Sequence, residues 1–394
     1  MALGFQPKFG VVGYGWLALI LALLAVPAVA ATSSVKTIHK DADQGSSDQW
    51  EFATTADDSG HVYAIYPQSR RDPNCATCWL PSLMLITSHD SGAHWDAPRS
   101  LTPFSSGQAN PQIVVDAADH RTVYAAWLEN MNRDVMVAKS SDFGQSWSVV
   151  MADRGLWSAE HPVLAARGQD VYVGFTRTHS LMVATSHNGG VAFGSAEISA
   201  GASFAASLAD SATVDNDGNI YLAWAGYTAT SATNGRVHLY ISRLLERGGR
   251  WATTLMDTSR DPEGCSAYQC AWGYLGAQIS LTSDSAGVLY ALWNASSGLN
   301  QAERIYFASS TTRGEIWSQK VELSNAPTGA THTMPLIAAS SAGTVRVAWM
   351  DSRFTPDWSA FYRTSTNGGA TWSDEKRVPT RALASLYAPT SSTE

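Results

Sequence analysis

One eight-residue pattern, Ser-x-Asp-x-Gly-x-x-Trp, recurs along this chain of 394 residues. Five copies are clear, three with Asn or Thr in place of Asp and one with Phe in place of Trp; they begin at Ser88, Ser140, Ser186, Ser310 and Ser365. A degenerate sixth copy runs from Ser242 to Trp251. A repeat spaced by roughly 50 residues is typical of propellers and solenoids.

A second repeat, an apolar run that contains or ends in aromatic residues, keeps in step with the first. Its copies begin at Val62, Val123, Val171, Ile220, Leu289 and Val345. A polar turn and another apolar run precede each copy, and a short third run leads into the eight-residue pattern. Each unit therefore predicts four antiparallel strands, and six units predict an all-β, six-bladed β-propeller. A single β-sandwich would not explain two motifs that repeat in phase.

Composition favours the same class. Charged residues make up only 15% of the chain, while 15 Trp and 14 Tyr are present, which suits an aromatic-rich β protein better than a helical bundle. The 26 Lys and Arg against 34 Asp and Glu give a net charge of −8, and no basic run occurs. Nucleic acid is therefore not expected as a partner.

The first thirty residues have the pattern of a secretory signal. Lys8 precedes an apolar stretch that is densest over residues 16–26, and Ala28-Val29-Ala30 forms a small-x-small cleavage site. We predict a signal peptide over 1–30, one propeller over 31–394, and a secreted, periplasmic or cell-surface location. An uncleaved anchor is the alternative, because about 20 apolar residues can span a bilayer. With cleavage, no stable membrane insertion is expected.

The repeated pattern resembles the Asp box of the sialidase (bacterial neuraminidase repeat) superfamily, and the resemblance extends over nearly all of residues 31–394. Asp or Asn would cap a tight hairpin, Gly would take the positive-φ position, and Trp would pack beneath. In this superfamily Asp boxes are structural, lie opposite the active site and also occur in proteins that are not sialidases. The resemblance therefore implies a fold before it implies an activity.

If the Asp boxes mark the bottom face, second strands end and first strands begin at the top, around the central channel. Residues placed there are Arg70, Arg71, Asp72, Glu129, Arg133, Arg177, Tyr227, Asn294, Asp351 and Arg353 from second-strand ends, and Trp50, Glu51, Asn110, Gln112, Glu160, His161, Gln278 and His332 from first-strand starts. Carboxylates, arginines and aromatic rings that converge there would suit an acidic or polar glycan. A solvated rim with ordinary ion pairs is the alternative.

Similarity to sialidases implies three arginines on a substrate carboxylate, a Tyr nucleophile activated by a Glu, and an Asp acid/base. On this basis the candidates are Asp72 and Asp351 for catalysis, with Arg70, Arg71, Arg353, Glu129, Arg133 and Arg177 for substrate binding. The Arg-Ile-Pro segment expected at the start of the first blade is missing, since Gln49-Trp50-Glu51-Phe52 occurs there. No nucleophile is assigned, because Tyr362 falls in a third strand.

Asp351 and Arg353 have a second interpretation. A carboxylate and a guanidinium two residues apart at a strand end can form an ion pair that braces a neighbouring loop. Closure of the ring also has two solutions: either residues 35–38 or residues 376–378 supply the last strand of blade six.

The four cysteines lie in two similar Arg-Asp-Pro settings, with Cys75 and Cys78 in the first and Cys265 and Cys270 in the second. In an exported protein an even number of cysteines favours disulfides, and the simplest pairing is local, Cys75–Cys78 and Cys265–Cys270. A zinc site with four cysteine ligands is the alternative. No HExxH or His-x-His spacing occurs, and neither a metal nor another cofactor is expected.

These patterns predict a monomeric, exported propeller that engages extracellular glycans or glycoconjugates, and three functions stay open. The first is an exo-sialidase-type glycoside hydrolase, which three arginines converging on one pocket would favour and dispersed arginines would exclude. The second is a non-catalytic propeller that binds glycan or protein. The third is a polysaccharide lyase in which His161 or Tyr227 abstracts a proton.

Overall fold

The computed structural model describes residues 52–71, 79–102, 107–198, 204, 206–228, 236–245, 249–260, 277–298, 301–354 and 357–378. Within these ranges all regular structure is β-strand, and the strands form six sheets of four strands each. Neighbouring strands within each sheet are antiparallel and consecutive in sequence, so each sheet is one blade and the predicted six-bladed propeller is confirmed. No helix in the described ranges is long and apolar enough to span a membrane.

The strands of the first three blades are β1 (Ala53–Ala56), β2 (Val62–Arg71), β3 (Trp79–Ser88) and β4 (Arg99–Ser100); β5 (Ala109–Val115), β6 (Val123–Glu129), β7 (Asp134–Ser140) and β8 (Ser148–Arg154); and β9 (Ala159–Arg167), β10 (Asp170–Arg177), β11 (Ser180–Ser186) and β12 (Gly194–Ile198).

The strands of the last three blades are β13 (Ala206–Val214), β14 (Ile220–Tyr227), β15 (Val237–Leu244) and β16 (Ala252–Ser259); β17 (Ile279–Ser283), β18 (Leu289–Ala295), β19 (Arg304–Ser310) and β20 (Val321–Glu322); and β21 (His332–Ala339), β22 (Val345–Phe354), β23 (Asp357–Ser365) and β24 (Lys376–Arg377). Because β24 pairs with β23, residues 376–377 supply the fourth strand of blade six. Residues 35–38 lie outside the described ranges.

Aromatic side chains of the second strands fill the spaces between blades, as their repeat predicts. Trp127, Trp224, Trp293 and Trp349 occupy equivalent positions of β6, β14, β18 and β22 and are almost completely buried. The apolar clusters around the second strands each join residues of two neighbouring blades, for example β14 and β15 with β17 and β18. Interlocking of adjacent blades, rather than one central core, therefore provides most of the apolar burial.

The Asp boxes form the hairpins between third and fourth strands. In the copy at Ser140, the Ser140 Oγ accepts a hydrogen bond from the Gly144 N–H (2.8 Å), and Asp142 Oδ1 accepts one from the Ser146 N–H (2.9 Å). The other four clear copies repeat both bonds. The Gly of each clear copy has a φ between 73° and 87°, the left-handed region that glycine adopts without a steric penalty.

A second capping residue, absent from the sequence predictions, closes the turns between first and second strands. In blade four Asp215 accepts a bond from the Asn219 N–H (2.9 Å) and another from the Tyr221 hydroxyl (2.8 Å). Asp284 does the same for the Val288 N–H and the Tyr290 hydroxyl in blade five. These hairpins and the Asp boxes lie on one face of the propeller. The first strands begin on the opposite face.

Candidate active site at the channel mouth

The first strands converge on a cavity of about 220 Å³ at the mouth of the central channel. Every blade contributes to its lining. One lining residue from each blade, in chain order, gives the set Phe52, Asn110, His161, Asp210, Gln278 and Met334. Of the first-strand residues that the sequence placed at the channel, four line the cavity: Asn110, Gln112, His161 and Gln278. Glu160 and His332 are not part of the lining, and Trp50 and Glu51 lie outside the described residues. The volume of the cavity is smaller than the roughly 300–1,000 Å³ of a drug-sized ligand site. The cavity therefore suits one sugar unit or the end of a glycan chain.

Three of the lining residues belong to the same backbone irregularity, a β-bulge formed by an X-Pro pair. Asn110-Pro111, His161-Pro162 and Met334-Pro335 each place two residues opposite one residue of the second strand. Asn110, His161 and Met334 have φ values of 51°, 48° and 53°, in the left-handed region. Proline has no N–H for the ladder and is tolerated in a strand at such an irregularity. A bulge turns the extra side chain out of its normal alternation, here into the channel mouth.

Asp210 reaches the cavity through a register shift of its own, between Ala209 and Ser211 of β13. Its Oδ2 accepts a hydrogen bond from the Ile279 N–H of blade five (3.1 Å). Burial raises the pKa of Asp210 well above the ordinary value for an aspartate. The carboxyl therefore holds its proton in a pH range where exposed aspartates are ionised, which makes it a potential proton donor.

His161 lies on the neighbouring first strand β9, and burial shifts its pKa in the opposite direction. Burial lowers the pKa of His161 to about 4, so the imidazole is neutral near pH 7 and can accept a proton. A carboxyl with a raised pKa and an imidazole with a lowered pKa in the lining of one cavity are candidates for a general acid and a general base. His161 is one of the residues that the sequence places at the mouth, whereas Asp210 is not.

Tyr227 lies behind this pair at the end of β14. Its hydroxyl donates a hydrogen bond to the Ala277 carbonyl (3.4 Å). Burial, with the nearby carboxyls of Asp210 and Glu303, raises the pKa of Tyr227 well above its ordinary value. Tyr227 therefore retains its proton, and of the two bases that the lyase hypothesis names, His161 is the one in the required protonation state.

A buried polar cluster contacts Gln278, one of the residues that line the mouth. Asn294 Oδ1 accepts a bond from the Gln278 N–H (3.0 Å), and the Asn294 amide nitrogen donates to Glu303 Oε2 and to the His332 carbonyl (3.2 Å for the latter). Glu303 Oε1 also accepts a bond from the Ser259 hydroxyl (3.3 Å). Ser259, Glu303 and His332 belong to blades four, five and six, so this cluster joins three blades on the face that carries the mouth.

The arginines named from the sequence do not meet in the described part of this cavity. Arg177 ends β10 and forms an ion pair with Asp153 (2.6 Å), and Arg353 lies three blades away. No arginine is among the described residues that line the mouth. The backbone of Arg70 and Arg71 ends β2, but their side chains, Asp72 and all four cysteines lie outside the described part of the chain. A role for these residues stays a prediction.

Arg353 and Asp351 adopt the geometry expected of a brace. The Arg353 guanidinium contacts both Asp351 oxygens (2.5–2.9 Å), Glu375 Oε1 (2.5 Å) and the Ser324 hydroxyl (3.3 Å). Asp351 is fully buried. The pair thereby ties the end of β22 to the segment before β24, and neither residue is among those that line the mouth.

Glu129 and Arg133 lie at the turn between β6 and β7, on the same face as the mouth but outside its lining. Glu129 Oε2 accepts a hydrogen bond from Trp127 Nε1 (3.0 Å), and the Arg133 side chain is exposed. In the described ranges no group of three or more His, Cys, Asp or Glu side chains could hold a metal ion.

A wider cleft, of about 550 Å³, lies at the side of the propeller between blades four and five. Its carboxylate, Asp257, accepts bonds from Lys320 Nζ (2.6 Å) and Trp293 Nε1 (2.8 Å). These contacts hold blade five against the outer strand of blade four. The channel mouth, where acid and base face one cavity, is therefore the better candidate for chemistry.

Comparison with known proteins agrees with the architecture and the repeats. The six blades and their Asp boxes define a six-bladed propeller of the sialidase type. The chain belongs to the BNR repeat-like domain family, whose model matches residues 33–273. Comparison with curated protein sequences found no match.

Among solved structures, an ulvan lyase, described as a polysaccharide lyase, is similar with a TM-score of 0.50 and 12% identity, covering 81% of each chain. The NanB sialidase of Streptococcus pneumoniae has a TM-score of 0.50 and 9% identity, over 77% of this chain and 65% of that one. An α-L-arabinofuranosidase of Fusarium graminearum has a TM-score of 0.47 and 10% identity, over 77% and 87%. At these identities the likeness to the lyase and to the sialidase shows the fold alone.

Proposed function

We propose that this protein cleaves an extracellular acidic polysaccharide by β-elimination, with His161 as the base and Asp210 as the acid. The observation that carries the proposal is the pair itself. Asp210 and His161 line one cavity, and burial shifts their pKa values in opposite directions, so that the carboxyl keeps its proton to higher pH than an exposed aspartate and the imidazole is neutral near pH 7. A lyase on a similar propeller lends support by analogy only.

The reaction makes definite demands on the two groups. The neutral His161 imidazole takes the proton from C5 of a uronate unit, and the electron pair of that C–H bond forms the C4=C5 double bond. The C4–O bond breaks, and its oxygen receives the proton of the Asp210 carboxyl. His161 then returns its proton through solvent to the Asp210 carboxylate that this transfer leaves, which restores both groups and consumes no other reactant.

Two features favour elimination over hydrolysis by an exo-sialidase. Glycosidases of the common type need two carboxyl groups beside the scissile bond, and sialidases use a tyrosine nucleophile together with an arginine clamp. Among the described lining residues Asp210 is the only carboxylic acid, and arginine is absent. The amides of Asn110 and Gln278 lie in the same lining and offer hydrogen-bond donors to a uronate carboxyl group.

Export and a monomeric state belong to the same proposal. A polysaccharide substrate is found outside the cell, in line with the signal-like pattern of residues 1–30. A binding propeller without catalysis is the rival function, and it predicts affinity for the same glycans with no change in their length.

The test is a cleavage assay on the purified protein with ulvan, alginate, hyaluronan, polygalacturonate and a fluorogenic sialoside. Elimination produces an unsaturated uronate that absorbs in the ultraviolet, hydrolysis produces reducing ends without that absorbance, and a sialidase releases the fluorophore. We expect ultraviolet-absorbing product from at least one uronate polymer. His161→Asn and Asp210→Asn should each lower the rate by at least about a hundredfold.

His161→Asn is chosen because asparagine tolerates the left-handed backbone and already occupies the same bulge as Asn110 in blade two. The matched control is His187→Asn, since His187 pairs with Asp170 and is half-exposed away from the mouth. Turnover of the sialoside alone would refute elimination, and formation of the unsaturated product that survives both substitutions would refute the roles assigned to His161 and Asp210.

A further inference from the structure

The Arg177 guanidinium joins two loops on the face that carries the channel mouth. It donates to Asp153 Oδ2 (2.6 Å), to the Arg133 carbonyl (3.1 Å) and to the Trp157 carbonyl. The side chains of Arg177 and Asp153 are only 12% and 15% exposed. This nearly buried, charge-assisted contact fixes the loop before β9 against the turn between β6 and β7.

Backbone hydrogen bonds reinforce the same junction. The Ala159 N–H donates to the Asn132 carbonyl (2.6 Å), and the Gly155 N–H donates to the Arg133 carbonyl (3.2 Å). A Cβ atom on residue 155 would lie 2.2 Å from Arg177 Nη1, so only glycine leaves room for the guanidinium. The two loops therefore form one well-defined unit rather than two independent connections.

The turn in this unit has an uncommon backbone. Asn130, Met131 and Asn132 have φ values of 54°, 57° and 61°, three consecutive residues in the left-handed region without a glycine. Such conformations are costly and persist where the surrounding structure enforces them, frequently at binding sites.

This unit presents three large apolar side chains to solvent. Met131 is 71% exposed, Leu156 is 87% exposed and Trp157 is 68% exposed. We call these three residues the apolar rim. The tryptophans of the described second strands are buried between blades, whereas Trp157 lies in a loop and its exposed indole is not needed for the fold. Several exposed apolar side chains gathered on one ordered unit are typical of an interaction surface.

We propose that the apolar rim is a glycan subsite in which the Trp157 indole stacks on a pyranose ring of the polymer bound at the channel mouth. This inference rests on the proposed function for the identity of the ligand. Trp157 lies four residues before His161 on the segment that leads into β9, at most about 13 Å away along an extended strand. One glycan chain can therefore contact the rim and the mouth together. A rigid indole offers a large contact area at little entropic cost, as in other recognition sites.

The test is binding, measured separately from turnover. Affinity electrophoresis of the purified protein through gels that contain ulvan, alginate, hyaluronan or polygalacturonate gives a dissociation constant for each polymer. We expect Trp157→Ala to weaken retention by between about threefold and tenfold, and Trp157→Phe to recover most of it. Ile316→Ala is the matched control, because Ile316 is equally exposed (67%) but lies in an Asp-box hairpin on the opposite face.

The outcomes separate this inference from the proposed function. If the wild type binds a polymer without cleaving it and Trp157→Ala loses retention, elimination is excluded and the subsite is supported. If Trp157→Ala cleaves and binds as the wild type does, the subsite is excluded and elimination stands. If the wild type binds none of the four polymers, the subsite is excluded. Thermal unfolding of Trp157→Ala should match the wild type, since the indole is mostly in solvent.

Discussion

At the scale of single residues, Asp210 and His161 are distinguished by pKa values that burial moves in opposite directions. The sequence contains little sign of this. Asp210 lies within an ordinary strand segment, Leu208 to Thr213, and faces the channel because the register of β13 shifts beside it. That shift depends on pairing with β14, which a sequence read alone does not specify. The X-Pro pairs were a readable signal, since three first strands carry proline at equivalent positions.

The pair makes a prediction about pH. Catalysis requires neutral His161, so kcat/KM should fall as the pH drops through its pKa of about 4. It also requires protonated Asp210, so kcat/KM should fall again as the pH rises through the elevated pKa of that carboxyl. We therefore expect a plateau that extends to unusually acidic pH. An acidic limb near the ordinary histidine value of about 6.5 would argue against His161 as the base.

At the scale of elements, the Asp-box hairpins and the buried second strands follow directly from the two repeats. Their residues act locally, through turn hydrogen bonds and a fixed alternation, which is why sequence alone predicts them. The rim and mouth depend on contacts between blades, as the Arg177 junction shows, and spacing along the chain does not reveal such contacts. The sequence predicts Arg177 as a substrate-binding residue, but the structure engages its two terminal guanidinium nitrogens in loop contacts.

Glycine substitutions test the hairpin geometry. Gly144 has a φ of 80°, and an added Cβ would lie 3.4 Å from the Tyr63 ring, so Gly144→Ala should lower the free energy of unfolding by about 1–2 kcal/mol. Gly194 begins β12 with no atom within 4 Å of an added Cβ. Gly194→Ala should leave stability unchanged or raise it by up to about 1 kcal/mol. Urea unfolding measures both, and equal effects would contradict the assigned backbone conformation.

At the scale of the whole molecule, sequence repeats predicted the number of blades and offered residues 376–378 as one way to close the ring, which β24 confirms. They did not predict how blades four, five and six are joined. Glu303 is 1% exposed and lies between Ser259, Asn294 and His332. Burial raises its pKa to about 8, against an ordinary value of 4.5.

This carboxyl should make stability depend on pH. Between about pH 4.5 and about pH 8 the folded state binds more protons than the unfolded state, so the free energy of unfolding falls as the pH rises. Glu303→Gln removes that contribution. Relative to the wild type, it should gain on the order of 4 kcal/mol between about pH 5 and about pH 8, as judged by urea unfolding. A constant difference across this range would show that Glu303 is ionised throughout.

The repeated bulge has a consequence for how such proteins diversify. Asn110, His161 and Met334 are three unlike side chains on the same X-Pro backbone, held around one axis by different blades. The backbone conformation at these positions does not depend on the side chain that precedes the proline, because the proline and the opposing strand determine it. Selection can thus change the side chains of the mouth, and with them its chemistry, one position at a time without altering the blades.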